Sequence, residues 1–210
     1  MWFEFVILFL ALPALLYLAR LRVPAILMLW TLMTYCIFAL WRDGNLSFVH
    51  LAPIGLAERL PSILAIFVPF VIATTVAVYR HASRDLFGFV RNRPLLWAAV
   101  MIAYPVLSVY PQGIIYRTFL FERYRALFPN TWLMVVVSAL AFTFVNIVFR
   151  NWIALVLTAL GGVLFAMRYA QTGSLFISSF EHALYGCWIF TVGLGKWFFY
   201  EGQWKQFKLP

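Results

Sequence analysis

The sequence is poor in charge. Of its 210 residues, 11% are Asp, Glu, Lys or Arg, against about 25% in an ordinary soluble domain. Acid is the scarcer sign, with seven Asp and Glu facing sixteen Lys and Arg for a net charge of +9. Cysteine is scarcer still: Cys36 and Cys187 are the two. They form no C-x-x-C pair and both sit inside apolar runs, so no disulfide framework is expected and the thiols read as free and buried. What fills the chain instead is apolar bulk, with 65% hydrophobic residues, 20% aromatic ones and a mean hydropathy of +0.91. A soluble globule of this length cannot hide that much apolar surface. These shortages exclude a soluble enzyme, a disordered chain and a nucleic-acid-binding domain. They leave an all-α, polytopic integral membrane helix bundle with little mass outside the bilayer.

A spanning helix needs about 20 mostly apolar residues. Residues 2–19 and 24–41 supply the first two, closed by Arg20 and Arg22 and by Arg42 and Asp43. Glu4 stands where a cleavable signal would be basic, and no small-residue cleavage site precedes Arg20, so this segment reads as a membrane helix. Residues 44–60 hold Gly44, Pro53, Gly55, Glu58 and Arg59 and read as an interfacial connector. Residues 61–79 are the third span and 95–110 a shorter fourth, interrupted by Pro105. Residues 131–149, 152–167 and 172–195 make the fifth to seventh. Residues 196–210 alternate aromatic and basic side chains, as an interfacial tail does. The expectation is seven to eight transmembrane helices in a single membrane domain, residues 1–210. Within it, 1–94 are generic spans, 95–195 a core and 196–210 the tail. No inverted repeat relates the two halves.

The basic residues lie between apolar runs, which makes them topology signals and headgroup contacts. Loops one and three carry Arg20, Arg22, Arg80, Arg84, Arg91 and Arg93. Loop two carries only Arg42 and Arg59, offset by Asp43 and Glu58. The positive-inside rule then puts loops one and three in the cytoplasm and the N-terminus outside. The expected location is a prokaryotic inner (plasma) membrane, with membrane lipids as partners and no nucleic acid. His50 and His81 fall in polar connectors and read as solvated. One histidine at the core with no second beside it makes a poor zinc site, so neither metal nor cofactor is expected.

Ionisable groups inside a span are costly and mark function. Three places hold them, all in the C-terminal half. The first runs from Pro111 to Arg117, followed by Glu122, Arg123 and Arg125. On a helix, Gly113 and Arg117 share one face and Gln112 and Tyr116 the next. Arg123 and Arg125 read as arginines of an amphipathic interfacial helix, snorkelling to headgroups; Arg117 needs a buried partner. The second place holds Ser138, Phe142 and Asn146, whose simplest use is an interhelical hydrogen bond. The third is the adjacent pair Glu181 and His182, which point about 100° apart on a helix. Arg117 or Arg150 could satisfy them structurally, yet two neighbouring ionisable groups exceed what helix packing needs.

In this order the three places resemble the CPBP family, the CAAX proteases and bacteriocin-processing enzymes also called Abi. That family's pattern is Glu-Glu-x-x-x-Arg, then Phe-x-x-x-His, then His-x-x-x-Asn. Here the three stretches are Gln112-Gly113-Ile114-Ile115-Tyr116-Arg117, Phe142-Thr143-Phe144-Val145-Asn146 and His182-Ala183-Leu184-Tyr185-Gly186. Tyr116-Arg117-Thr118-Phe119 ahead of Arg123-Tyr124, and Glu181-His182-Ala183-Leu184-Tyr185-Gly186, extend the likeness, which covers roughly residues 95–195. The resemblance implies a bundle of intramembrane glutamic-type peptidases. In them a motif glutamate and the second motif's histidine activate water, and the third motif's His and Asn stabilise the oxyanion. Arg117 and His182 match. Gln112 and Gly113 stand at the glutamates, Asn146 at the histidine and Gly186 at the asparagine. Gln and Asn can bond a water but cannot take its proton.

The fold should therefore carry over and the reaction should not. The expected function is a CPBP-like protein without ordinary protease activity. It would use the former active-site cavity, lined by Gln112, Tyr116, Arg117, Asn146 and His182, to hold a peptide, a lipid or a partner membrane protein. Tyr116 and Gly186 are the substrate-side residues in this reading. The alternative is an active endopeptidase processing a membrane-anchored peptide or C-terminal sorting signal, with Glu181 or Glu122 as a substitute base. A third is a scaffold subunit of a larger membrane complex.

Overall fold

The computed structural model describes residues 1–20, 24–44 and 55–198. Within them the chain is helical, with no strand. Eight helices follow in order: α1 Trp2–Leu18, α2 Ala25–Arg42, α3 Leu56–His81, the short α4 Gly88–Asn92, α5 Pro94–Arg123, α6 Thr131–Phe149, α7 Trp152–Thr172 and α8 Leu175–Val192. Among the described residues, α3, α5, α6, α7 and α8 are long and apolar enough to cross a membrane, and α1 and α2 are shorter apolar helices. Arg22, His50, most of the 44–60 connector and the tail from 199 onward lie outside the described residues.

The helix boundaries follow local chemistry. Asn130 opens α6, its side-chain oxygen accepting from the backbone N–H of Trp132 at 2.8 Å and of Leu133 at 3.2 Å. Asn151 opens α7 the same way through Ile153 and Ala154, and Ser174 opens α8 through Ile177. Each cap satisfies donors that a helix start leaves orphaned. Gly173, at a φ of 62°, ends α7 in the left-handed conformation that only glycine adopts without strain.

The third and fourth spans differ from the sequence expectation, and the sixth runs on to Thr172. The third span is longer, because Leu56–Leu60 belong to α3 rather than to the connector. The fourth is neither interrupted at Pro105 nor ended at residue 110. It continues for 30 residues as α5, taking in the whole first motif. Proline removes a backbone donor and crowds the carbonyl one turn earlier. The wider π turns at Pro105–Val109 and Ile114–Phe119 absorb that insult without ending the helix.

Helix α5 is the hub. It packs on α2, α6 and α8, while α6, α7 and α8 form consecutive antiparallel pairs and α3 lies along α8. The larger core joins Phe9 and Leu40 to Ile114, Ile115, Tyr116 and Phe119 of α5, Phe142 of α6 and Tyr169 of α7. A smaller one gathers Val78, Ile189, Val192 and Leu194. The outward faces stay apolar, with residues such as Leu18, Ile72, Ile102, Leu140 and Leu160 exposed. In water such a surface would aggregate; in a bilayer it meets lipid. Both thiols are free, Cys36 buried and Cys187 half-buried.

Polar clasps fix the two ends. At one, Arg123 of α5 pairs with Glu4 at 3.2 Å and with Asp43, joining the start of α1, the end of α2 and the end of α5. This corrects the headgroup role expected of Arg123, whose side chain is 14% exposed. Arg125, at 71%, does reach outward, beside Glu122. At the other end Arg150 donates to the Tyr17 carbonyl at 2.7 Å and stacks over the Tyr17 ring, and Lys196 meets Asp85 at 2.5 Å. Arg150 is thus committed to α1 and does not serve Glu181.

Candidate functional site

Arg117 lies 2% exposed in the middle of the bundle, carried there by the buried face of α5. Its Nη2 donates to His182 Nδ1 at 3.2 Å. A guanidinium has no acceptor, so His182 must accept at Nδ1 and keep its proton on Nε2. The histidine is thereby a hydrogen-bond donor, with no lone pair left to take a proton from water. Its ring stacks on Phe165 at 4.5 Å between centroids and meets Phe142 and Tyr104 edge-on. Arg117 lies over Phe165 at 5.2 Å and Phe142 at 5.8 Å. The two matching family residues are therefore brought together, inside a box of aromatic rings.

The substituted positions Gln112 and Asn146 are not. Gln112 is half-buried and donates to Ser108 Oγ at 2.8 Å, one turn back on its own helix. Asn146 sits in the final 3₁₀ turn of α6 and donates to its own helix, to the Phe142 carbonyl at 2.6 Å. The interhelical bond expected of it is made instead by Ser138, whose Oγ donates to the Tyr116 carbonyl at 2.6 Å. Tyr116 packs its ring between Phe9 and Phe142 in the core. Gln112, Tyr116, Asn146 and His182 are not among the walls of the cavity described below.

Two family positions are closed. At Gly113, a Cβ would meet Leu175 Cδ1 and Ser179 Oγ, each at 2.7 Å. At Gly186, it would run into the Tyr104 ring, which packs on the bare backbone. Neither a glutamate nor an asparagine has room there unless those neighbours move.

Glu181 is fully buried and held in a fork by Arg168 of α7, Nε to Oε2 at 2.7 Å and Nη2 to Oε1 at 3.2 Å. Arg168 also donates to Ser62 of α3 at 3.0 Å. Both carboxylate oxygens are thus engaged by one guanidinium. Glu122 faces Arg125 at the end of α5. Among the described residues no carboxylate stands within ion-pair distance of Arg117 or His182. Nor do three His, Cys, Asp or Glu side chains gather there as a metal site.

Arg168 is the residue the sequence reading missed. It falls one position beyond the apolar run ending at 167 and looks like a boundary charge. Its signal was its helical spacing within α7, which puts it on the buried face with Phe165 and Tyr169.

A cavity of about 750 Å³ lies on the other side of α8, between it, α3 and α5. Phe67, Val106, Phe180 and Leu184 are among its walls. Ser179 and Tyr110 also line it, and both hydroxyls are buried without a partner.

Residues 93–188 match the family model described as type II CAAX prenyl endopeptidase Rce1-like. The matched stretch runs from the start of α5 into α8 and contains all three motif regions. It supports the CPBP peptidase fold for this part of an integral membrane helix bundle. No curated protein and no solved structure matches the chain.

Proposed function

We propose that this protein uses the CPBP peptidase fold to hold a ligand within the membrane and does not cleave peptides. The observation that carries the reading is the absence, among the described residues, of any carboxylate paired with Arg117 or His182. A general base must lie within hydrogen-bond reach of the water it activates. Glu181 is occupied by Arg168, His182 accepts from Arg117, and Gly113 and Gly186 are closed by their neighbours. What is left is a donor, the Nε2–H of His182, beside a buried cation. Such a pair can orient a polar group but cannot generate hydroxide.

The test is direct. Purified protein in detergent is incubated with farnesylated peptides carrying a quenched fluorophore at the C-terminus. We expect no release above a protein-free control. Release by the wild type that His182→Ala abolishes would overturn the reading.

We infer further that the chain resides in a prokaryotic plasma membrane with its N-terminus outside. Arg80, Arg84, Arg91 and Arg93 cluster in the segment joining α3 to α5, and clusters of this kind are retained on the cytoplasmic side.

A further inference from the structure

Among the described residues Arg117 is a buried cation without a counter-charge. Its guanidinium makes one bond to a neutral histidine and lies against two phenyl rings, while Nη1 has no acceptor. Leaving a cation unpaired inside a membrane protein is costly, and such groups are normally matched. One turn earlier, where a side chain on the same face would meet it, the chain has Gly113. Among the described residues, then, no side chain supplies the missing anion.

The surroundings show where an external anion would come from. Ser179 Oγ is buried, without a partner, and lines the apolar cavity. The bare face of Gly113 joins it to Arg117: a point one Cβ bond out from Gly113 lies 2.7 Å from Ser179 Oγ and 3.4 Å from Arg117 Nη1. One orphaned donor, Ser179 Oγ, thus faces the cavity with the unpartnered Arg117 Nη1 behind it, and Tyr110 adds a second unpartnered hydroxyl along the wall. The rest of the wall is apolar and aromatic, and 750 Å³ falls within the range of about 300–1,000 Å³ typical of small-molecule sites.

We propose that the cavity between α3, α5 and α8 binds a single-chain lipid carboxylate of the long-chain fatty acid class, its head at Ser179 and Arg117. The proposal rests on the reading of the protein as a membrane ligand holder and names the ligand. The head is acceptor-only, which suits a donor-only guanidinium and a hydroxyl with its proton to give. It accepts from Ser179 Oγ–H and neutralises the Arg117 charge behind it. The acyl chain runs along Phe67, Val106, Phe180 and Leu184. Insertion of such a chain buries apolar surface, but the surrounding bilayer offers nearly the same. Selectivity therefore comes from the head.

The test is equilibrium binding of tritiated oleate to the purified full-length protein in detergent, with peptide cleavage assayed on the same preparation. We expect saturable binding that falls about tenfold in Ser179→Ala, the loss of one charge-assisted bond. Ala183→Trp, which fills the cavity, should abolish it. Oleyl alcohol, with the same chain and no charge, should compete at least about tenfold more weakly than oleate. Oleate binding that is not saturable, or that both variants leave unchanged, overturns the proposal. So does equal competition by oleyl alcohol, because the cavity then reads only the chain. Tighter competition by dioleoyl phosphatidic acid overturns it in favour of a phosphate head. Any of these results with no peptide cleavage leaves the non-peptidase reading standing. His182-dependent cleavage, by contrast, overturns that reading whatever the oleate result.

Discussion

At the scale of the residue, the bundle is organised around two buried arginines that meet opposite fates. Arg168 has a full partner in Glu181, at 2.7 Å and 3.2 Å, with Ser62 taking another of its donors. Arg117 has a histidine and two rings. Breaking the first pair from one side leaves an uncompensated buried charge, at a cost of about 3–5 kcal/mol. Glu181→Gln and Arg168→Gln are each expected to lower the thermal unfolding midpoint in detergent substantially. The double change Glu181→Leu with Arg168→Met, which removes both charges at similar volume, is expected to recover most of the loss. A Glu181→Gln protein as stable as the wild type would show that the pair carries no such weight. The sequence made half of this legible. Glu181 and His182 stand out because charge is rare in an apolar run, and Arg117 because it follows a helical motif. Arg168 escaped because hydropathy places it at a span boundary. Its helical spacing with Phe165 and Tyr169, and its approach to Glu181 from the neighbouring helix, show it to be interior.

At the scale of the element, close approach between helices is set by two bare backbones. Tyr104 of α5 rests on Gly186 of α8, and Leu175 and Ser179 of α8 rest on Gly113 of α5. The same helix pair is thus pinned twice, about two to three turns of α8 apart. Gly186→Ala is expected to destabilise the fold by about 1–3 kcal/mol through overpacking. Combined with Tyr104→Ala, the penalty should be smaller than the two single changes together, a coupling measurable in a double-mutant cycle by denaturant or thermal unfolding. Strict additivity would mean the ring and the glycine do not press on one another. These contacts were hidden from the sequence for a definite reason. A glycine announces room for a neighbour but not which neighbour. The extent of α5 was hidden too, because Pro105 reads as a stop signal until a π turn shows how the helix passes it. By contrast, the apolar runs that became α1, α2, α6, α7 and α8 were legible within a few residues, since hydropathy over such lengths admits little besides a helix.

At the scale of the whole molecule, the two ends differ in charge. The ends of α1, α3, α6 and α8 carry Arg20, Arg80, Arg84, Arg150 and Lys196, held in part by Tyr17 and Asp85. The opposite end carries Glu4, Asp43 and Glu122 alongside Arg123 and Arg125. Exposed Trp2, Trp41 and Trp132 stand at that more acidic end and Trp152 at the basic one, as interfacial aromatics do. A membrane-impermeant maleimide added to intact cells is expected to label Phe3→Cys and to spare Arg84→Cys until the cells are opened. The reverse pattern would invert the proposed orientation.

The unequal helices have a consequence for the surrounding lipid. At about 1.5 Å per residue, Trp2–Leu18 and Ala25–Arg42 reach about 25–27 Å, while the 26 residues of α3 reach about 39 Å. A hydrocarbon layer is about 30 Å thick. The ion-pair clasp at Glu4, Asp43 and Arg123 ties the two short helices to the end of the long α5, so they cannot slide to follow the lipid. The bilayer must yield instead, thinning against α1 and α2 while α3 and α5 tilt. The acyl chains beside α1 and α2 are thus expected to be more compressed than those beside α3.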